Sequence, residues 1–184
     1  MFPLLLTLIA AQTAGLKVEL RPVAGSAFEE VRVSGRSSLG LEALCDAVWA
    51  KNQAGKKPEG NFKKRVVISE TATERWTYEQ IRVPVVADRD YVIAVKLVQP
   101  ATSGRCEVAF ETRTHPKFPE VSDHVRIPSI RGNWTLTPAG AGQVDVSYVV
   151  FSDPGGSVPA LFARKGQREA AVDFFKVILA RAAR

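Results

Sequence analysis

This 184-residue chain has few of the residues that carry chemistry. It has two cysteines and two histidines, scattered too widely for a zinc ligand set, and no C-x-x-C. G-x-S-x-G, a glycine-rich phosphate loop and H-E-x-x-H are absent. Ser122-Asp123-His124 is no triad on spacing alone, because a triad is defined by geometry, and His115 and His124 both read as loop residues. No catalytic residue, cofactor or metal is therefore expected. Apolar runs of the ~20 residues a membrane helix needs are also missing. The basic residues are not interleaved with aromatics and no nucleic-acid motif occurs, so nucleic acid is not an expected partner. There is no low-complexity tract and no repeat at fixed period.

The length suits one domain able to bury roughly 70% of its unfolded surface, and 46% apolar with 24% charged residues is ordinary for a globular protein. The net charge of +6 is concentrated at Lys56-Lys57, at Lys63-Lys64-Arg65 and near the C-terminus in Arg164, Lys165, Arg168, Lys176, Arg181 and Arg184. Most of this reads as solvated surface. Near an anionic bilayer each basic residue is worth about 1 kcal/mol of attraction, which allows transient membrane contact. Residues 1–14, MFPLLLTLIAAQTA, have the short apolar core and small residues of a secretory leader, without a basic start. The expectation is an exported, periplasmic or secreted protein, with 15–184 as one domain acting as a monomer; a chain without a leader would be cytoplasmic. In an exported protein Cys45 and Cys106 could pair; lying on a predicted helix and a predicted strand, they read first as two buried thiols filling apolar space.

Alternation of period two predicts strands at 16–21, 28–34, 64–69, 76–83, 89–98, 105–113, 131–137 and 144–151. Proline and glycine clusters separate the later ones, which argues for an antiparallel sheet. Leu41, Leu44, Cys45, Val48 and Trp49 share one face of a short helix that Ser37 or Ser38 could cap, and 51–60 reads as a loop. From Pro159 the period becomes helical, with Phe162, Val172, Phe175, Ile178, Leu179 and Ala182 along one stripe and a kink expected near Lys165-Gly166. Four strands each carry one apolar face: Tyr91, Ile93, Val95 and Leu97; Cys106, Val108, Phe110 and Thr112; Ile130, Gly132, Trp134 and Leu136; Val144, Val146, Tyr148 and Val150. Such faces suit a filled core as well as a cavity. The isolated polar groups Tyr91, Thr112 and Tyr148 and the missing side chain at Gly132 favour a cavity, since ligand sites are apolar with a few placed polar groups.

Three stretches, in order, resemble one known family. They are Trp76 to Val92 with its proline turn and Arg89-Asp90-Tyr91-Val92; Val125 to Leu136 ending in Trp134-Thr135-Leu136; and Tyr148 to Pro159 with Asp153-Pro154-Gly155-Gly156-Ser157-Val158-Pro159. Together with the helix Leu41 to Trp49 they are similar to START (steroidogenic acute regulatory protein-related lipid transfer) domains, nearest in motif to the phosphatidylcholine-transfer members. The resemblance spans about residues 25 to 184. It implies an α+β helix-grip fold, a curved antiparallel sheet wrapped around a long C-terminal helix. It also implies one lipid or sterol-like ligand held inside and carried between membranes, without catalysis. The alternative is a cyclase or aromatase-like enzyme of the same superfamily acting on a hydrophobic substrate in that cavity.

The lining expected from these faces and the resemblance is Tyr78, Arg89, Tyr91, Ile93 and Val95; Val108, Phe110 and Thr112; Ile130, Gly132 and Trp134; Val146 and Tyr148; and Phe162, Val172, Phe175 and Leu179 of the helix. Arg89 is expected either to pair with Asp90 at a strand start or to meet a headgroup, the structural role being preferred. Departures from the family are a helix with fewer apolar residues after Pro159 and no acid–base pair on the inner faces. Glu79 is the nearest acid there, and Val95 stands where a base would be expected.

Overall fold

The structure is a computed structural model that describes residues 15–50, 62–83, 86–158 and 160–184, without the side chains of 160–163. The predicted leader 1–14, the predicted loop at 51–60, Pro84 and Pro159 lie outside the described residues.

Among the described residues the elements run β1 (Lys17–Pro22), β2 (Glu29–Ser37), α1 (Leu41–Trp49), β3 (Phe62–Glu70), β4 (Glu74–Ile81), β5 (Arg89–Gln99), β6 (Cys106–Arg113), β7 (Val125–Arg126), β8 (Ser129–Gly140), β9 (Gln143–Asp153) and α2 (Ala160–Ala182), with a short 3-10 turn at Ala101–Ser103. The sheet order is β1-β2-β9-β8-β6-β5-β4-β3, antiparallel throughout, and the two-residue β7 adds parallel to β5. The eight predicted strands fall on the eight long ones, and only β7 lacked a periodic signal, being too short to have one.

The sheet is buried on its inner face by both helices. α2 packs on β2, β9 and α1 through Ala171, Phe175, Ile178 and Leu179, and α1 covers β6 and β8 with Leu44, Cys45, Val48 and Trp49. Opposite them lie Val33, Val108, Leu136 and Val146, each at most 2% exposed. This half of the inner face is a filled core, and burial on this scale is the main stabilising term of the fold.

Several local expectations change. Cys45 and Cys106 form a disulfide that ties α1 to β6. The two sulfurs meet because α1 lies directly over the inner face of β6. α2 runs without interruption through Gly166, because a lone glycine weakens a helix by only ~1 kcal/mol and does not end it. α1 starts at Gly40 without a side-chain cap, and Ser37 instead accepts a hydrogen bond from the Leu39 amide.

Arg89 and Asp90 do not pair, since neighbouring residues on a strand point to opposite faces. Arg89 donates to the carbonyls of Ala87, Pro154 and Gly155, which fastens the turn Asp153-Pro154-Gly155-Gly156 to β5. Gly155 and Gly156 both take positive φ in that turn. Asp90 receives Arg126 Nε and Nη2 at 2.8 and 2.9 Å and the Tyr78 hydroxyl at 3.0 Å.

Candidate functional site

The inner-face residues of the sheet fall into cross-strand rows. Leu97, Val108, Trp134, Tyr148 and Val33 form one; Val95, Phe110, Gly132, Val150 and Val31 the next; then Thr77, Ile93 and Thr112; and last Arg65, Glu79 and Tyr91. Rows are two residues apart along each strand, so the four cover about 20 Å. The first lies against the helices and is closed. Trp134 stacks on Tyr148 at 4.4 Å and on Phe175 at 5.5 Å between ring centroids.

Towards the other end the rows are less covered. Ile93, Val95, Phe110, Thr112, Ile130 and Val150 are only half-buried although they share the apolar inner face. Phe174 of α2 meets Trp134 and Tyr148 edge-on, yet is 42% exposed. Among the described residues, a half-buried apolar surface runs from this aromatic group towards β4 and β3.

The far row ends that surface with polar groups. Arg65 Nε donates to Glu79 Oε1 at 2.7 Å, the Thr77 hydroxyl donates to the same oxygen at 3.3 Å, and the Tyr91 hydroxyl donates to Glu79 Oε2 at 2.7 Å. Thr77, Glu79 and Tyr91 are buried, and the Arg65 guanidinium lies 4.8 Å from the Phe62 ring centroid. Burial, then the Glu79 charge and hydrogen bond, push the Tyr91 phenol well above its ordinary value, and burial alone raises Tyr148. Both phenols therefore stay neutral at neutral pH and serve as hydrogen-bonding groups.

An acid–base pair, Arg65 with Glu79, is thus present on the inner face, against the expectation of none. Its base comes from β3, the strand on the far side of Glu79 from Val95. The available signal was the alternation of Arg65 with Val67, which placed a cation on an inner position of the edge strand.

Of the residues expected to line a cavity, Tyr91, Ile93, Val95, Val108, Phe110, Thr112, Ile130, Gly132, Trp134, Val146 and Tyr148 share the inner face of the sheet. Phe175 and Leu179 face it from α2, where Val172 is partly buried against the same core. Val108, Val146, Phe175 and Leu179 belong to its filled half. Phe162 lies in the first turn of α2, and its side chain is outside the described residues.

Three residues require correction. Tyr78 is on the opposite face of the sheet, stacked on Phe118 at 4.4 Å beneath segment 114–128, which covers the outer side of β4 and β5. Arg89 is spent on the turn after β9. Gly132 also does not leave a vacancy: a Cβ there would lie 2.7 Å from Phe110 Cζ and 2.0 Å from the Val149 carbonyl oxygen, so the Phe110 ring already occupies the space.

Among the described residues no group of three His, Cys, Asp or Glu side chains could hold a metal, and no helix is long and apolar enough to cross a membrane.

No family model matches the chain. It is 29% identical over 158 residues to an uncharacterized protein of Pseudomonas aeruginosa, covering 84% of this chain and 76% of that one. Among solved structures it is similar to a STAR-related lipid transfer protein from Xanthomonas axonopodis, with a TM-score of 0.76, 27% identity, and 94% of this chain and 96% of that chain covered. Human STARD10 superposes with a TM-score of 0.74 at 19% identity, over 91% of this chain and 69% of that one. The Zhui aromatase/cyclase from Streptomyces shares the fold more distantly, with a TM-score of 0.53 at 13% identity over 84% of this chain and 91% of that one.

Proposed function

On the START-type helix-grip fold that this chain has in common with those lipid-transfer structures, we propose that it binds one amphiphilic lipid against the inner face of the sheet and carries it between membranes. The observation that carries the reading is the polarity gradient along that face. Phe174, at the exposed edge of the closed aromatic group, and the half-buried residues Ile93, Val95, Phe110 and Val150 suit the apolar body of a lipid. The Arg65–Glu79–Tyr91 cluster suits its polar group. Each methylene moved from water onto such a surface is worth about 0.8 kcal/mol, so a single chain offsets a substantial part of the cost of leaving a bilayer.

The protein acts as a monomer that touches anionic membrane surfaces briefly through its basic excess. It works outside the cytoplasm; the Cys45–Cys106 disulfide supports an oxidising compartment, in agreement with the apolar leader.

The second reading, a cyclase acting on a chain held in the same hollow, is favoured by the likeness to an aromatase/cyclase and by Tyr91 and Tyr148 lying on the inner face. The raised phenols argue for the carrier, because a phenol held neutral is a poor base. The test is transfer of fluorescent phospholipid and sterol between vesicles by the full chain. Wild type moves at least one of them, and Phe174→Asp, which puts a charge on the wall of the hollow at a partly exposed position, abolishes transfer while the fold persists. Absence of transfer for every lipid class, with turnover of a polyketide-like substrate that is lost in Tyr91→Phe or Tyr148→Phe, would replace the carrier by the enzyme.

A further inference from the structure

The outer face of the sheet carries a second polar feature that lipid carriage does not use. Where β1, β2, β9 and β8 lie side by side, Lys17, Ser34, Ser147 and Thr135 stand in one cross-strand row, flanked by Arg32 on one side and Arg36 on the other. These residues line a shallow, open dish of ≈ 380 Å³.

Two of its three cations are already paired, Lys17 with Glu19 at 3.0 Å and Arg36 with Asp145 at 2.8 Å. Arg32 is different. Its Nε is buried, and among the described residues it has no hydrogen-bond partner. A buried guanidinium N–H without an acceptor is costly and uncommon in native proteins. Glu19, across the β1–β2 ladder from Arg32, is shared with Lys17, and Asp145 is held by Arg36, so three cations face two carboxylates and the dish carries a net positive charge beside hydroxyl groups that can donate.

We propose that this dish is a binding site for a phosphate-class monoanion. The Arg32 guanidinium is its principal donor and the hydroxyls of Ser34, Ser147 and Thr135 are its flanking donors. The planar fork of arginine matches two oxygens of one phosphate, and hydroxyls on adjacent strands can reach the others. The group can be free in solution or displayed as a phosphodiester on a lipid surface. The chemistry is the same in both cases, and the site stands independently of what occupies the inner face.

The test follows the Arg32 Nε–Hε resonance of the full chain by NMR, titrating inorganic phosphate in one arm and phosphatidylglycerol vesicles in the other. The expected result is a saturable shift of that resonance and of the Ser34 and Ser147 backbone amides in wild type; read from those amides, affinity falls about tenfold or more in Arg32→Met and less in Ser147→Ala and Thr135→Val. A response to inorganic phosphate identifies a soluble oxyanion site, and a response to vesicles alone identifies a headgroup contact. If Arg32→Met does not fold, the two hydroxyl variants read the same site. The proposal is overturned if neither titrant moves the Arg32 resonance, or if the variants bind phosphate as tightly as wild type.

Discussion

Tyr91 on β5 donates its hydroxyl to Glu79 Oε2 on β4 at 2.7 Å, in the row of the inner face farthest from the Trp134–Tyr148–Phe175 stack, and Arg65 holds the other carboxylate oxygen. The three groups satisfy one another, so together they form a polar end to an apolar surface and do not leave a buried charge.

Arg65→Met leaves the Glu79 carboxylate buried and unpaired. It is expected to lower stability by roughly 3–5 kcal/mol in chemical denaturation, because breaking one side of a buried pair exposes its full desolvation cost. The double variant Arg65→Met/Glu79→Leu should recover most of that loss. The same double variant should shift any bound ligand towards wholly apolar species, read by extraction and mass spectrometry. A single variant as stable as wild type would mean that the pair is solvated.

Asp90 predicts a specific pH dependence. Burial raises its carboxyl, but the bonds from Arg126 and Tyr78 outweigh this and hold it below the ordinary aspartate value. In the unfolded chain it regains that value and takes up its proton first as the pH falls. The stabilisation is therefore complete above the ordinary aspartate range and is lost as pH falls through that range towards the folded value. Thermal melts from neutral to acid pH should show Tm of wild type dropping below about pH 5, and Asp90→Asn, already less stable at neutral pH, should show a shallower drop. Parallel curves would remove Asp90 from the acid response.

Gly132→Ala should cost about 1–3 kcal/mol or more, as overpacking does in a dense interior. Its Cβ would approach a backbone oxygen to 2.0 Å, and that oxygen cannot move without disturbing the β8–β9 ladder. Pairing with Phe110→Leu should recover only the part due to the ring, which separates the two clashes in a double-mutant melt.

The Cys45–Cys106 bond closes a loop across 61 positions. In the chain-entropy account such a link stabilises by about 4 kcal/mol. Reduction, or Cys45→Ala/Cys106→Ala, should lower Tm markedly without altering the far-ultraviolet circular dichroism at low temperature. An unchanged Tm on reduction would show that the sulfurs are not linked in solution.

The strands, their inner faces and the terminal helix were legible in the sequence because each repeats a period that only one secondary structure satisfies. Tyr78 was expected on the wrong face because β4 is buried on both, Thr77 and Glu79 on the inner face and Tyr78 beneath segment 114–128 on the outer, so alternation does not say which is inner. The disulfide and the Arg65–Glu79 pair are long-range facts. They depend on α1 lying over β6 and on β3 lying beside β4 at the sheet edge. Local patterning marks an inward cation at Arg65 but does not name its partner.

The most direct measurement is native mass spectrometry of the purified domain, with extraction and identification of whatever it releases. The account predicts one amphiphilic molecule per chain, diminished in Phe174→Asp and altered in chemistry in Arg65→Met/Glu79→Leu. A wild-type protein that is always empty, and that stays empty after incubation with phospholipid, sterol and fatty-acid vesicles, would contradict it.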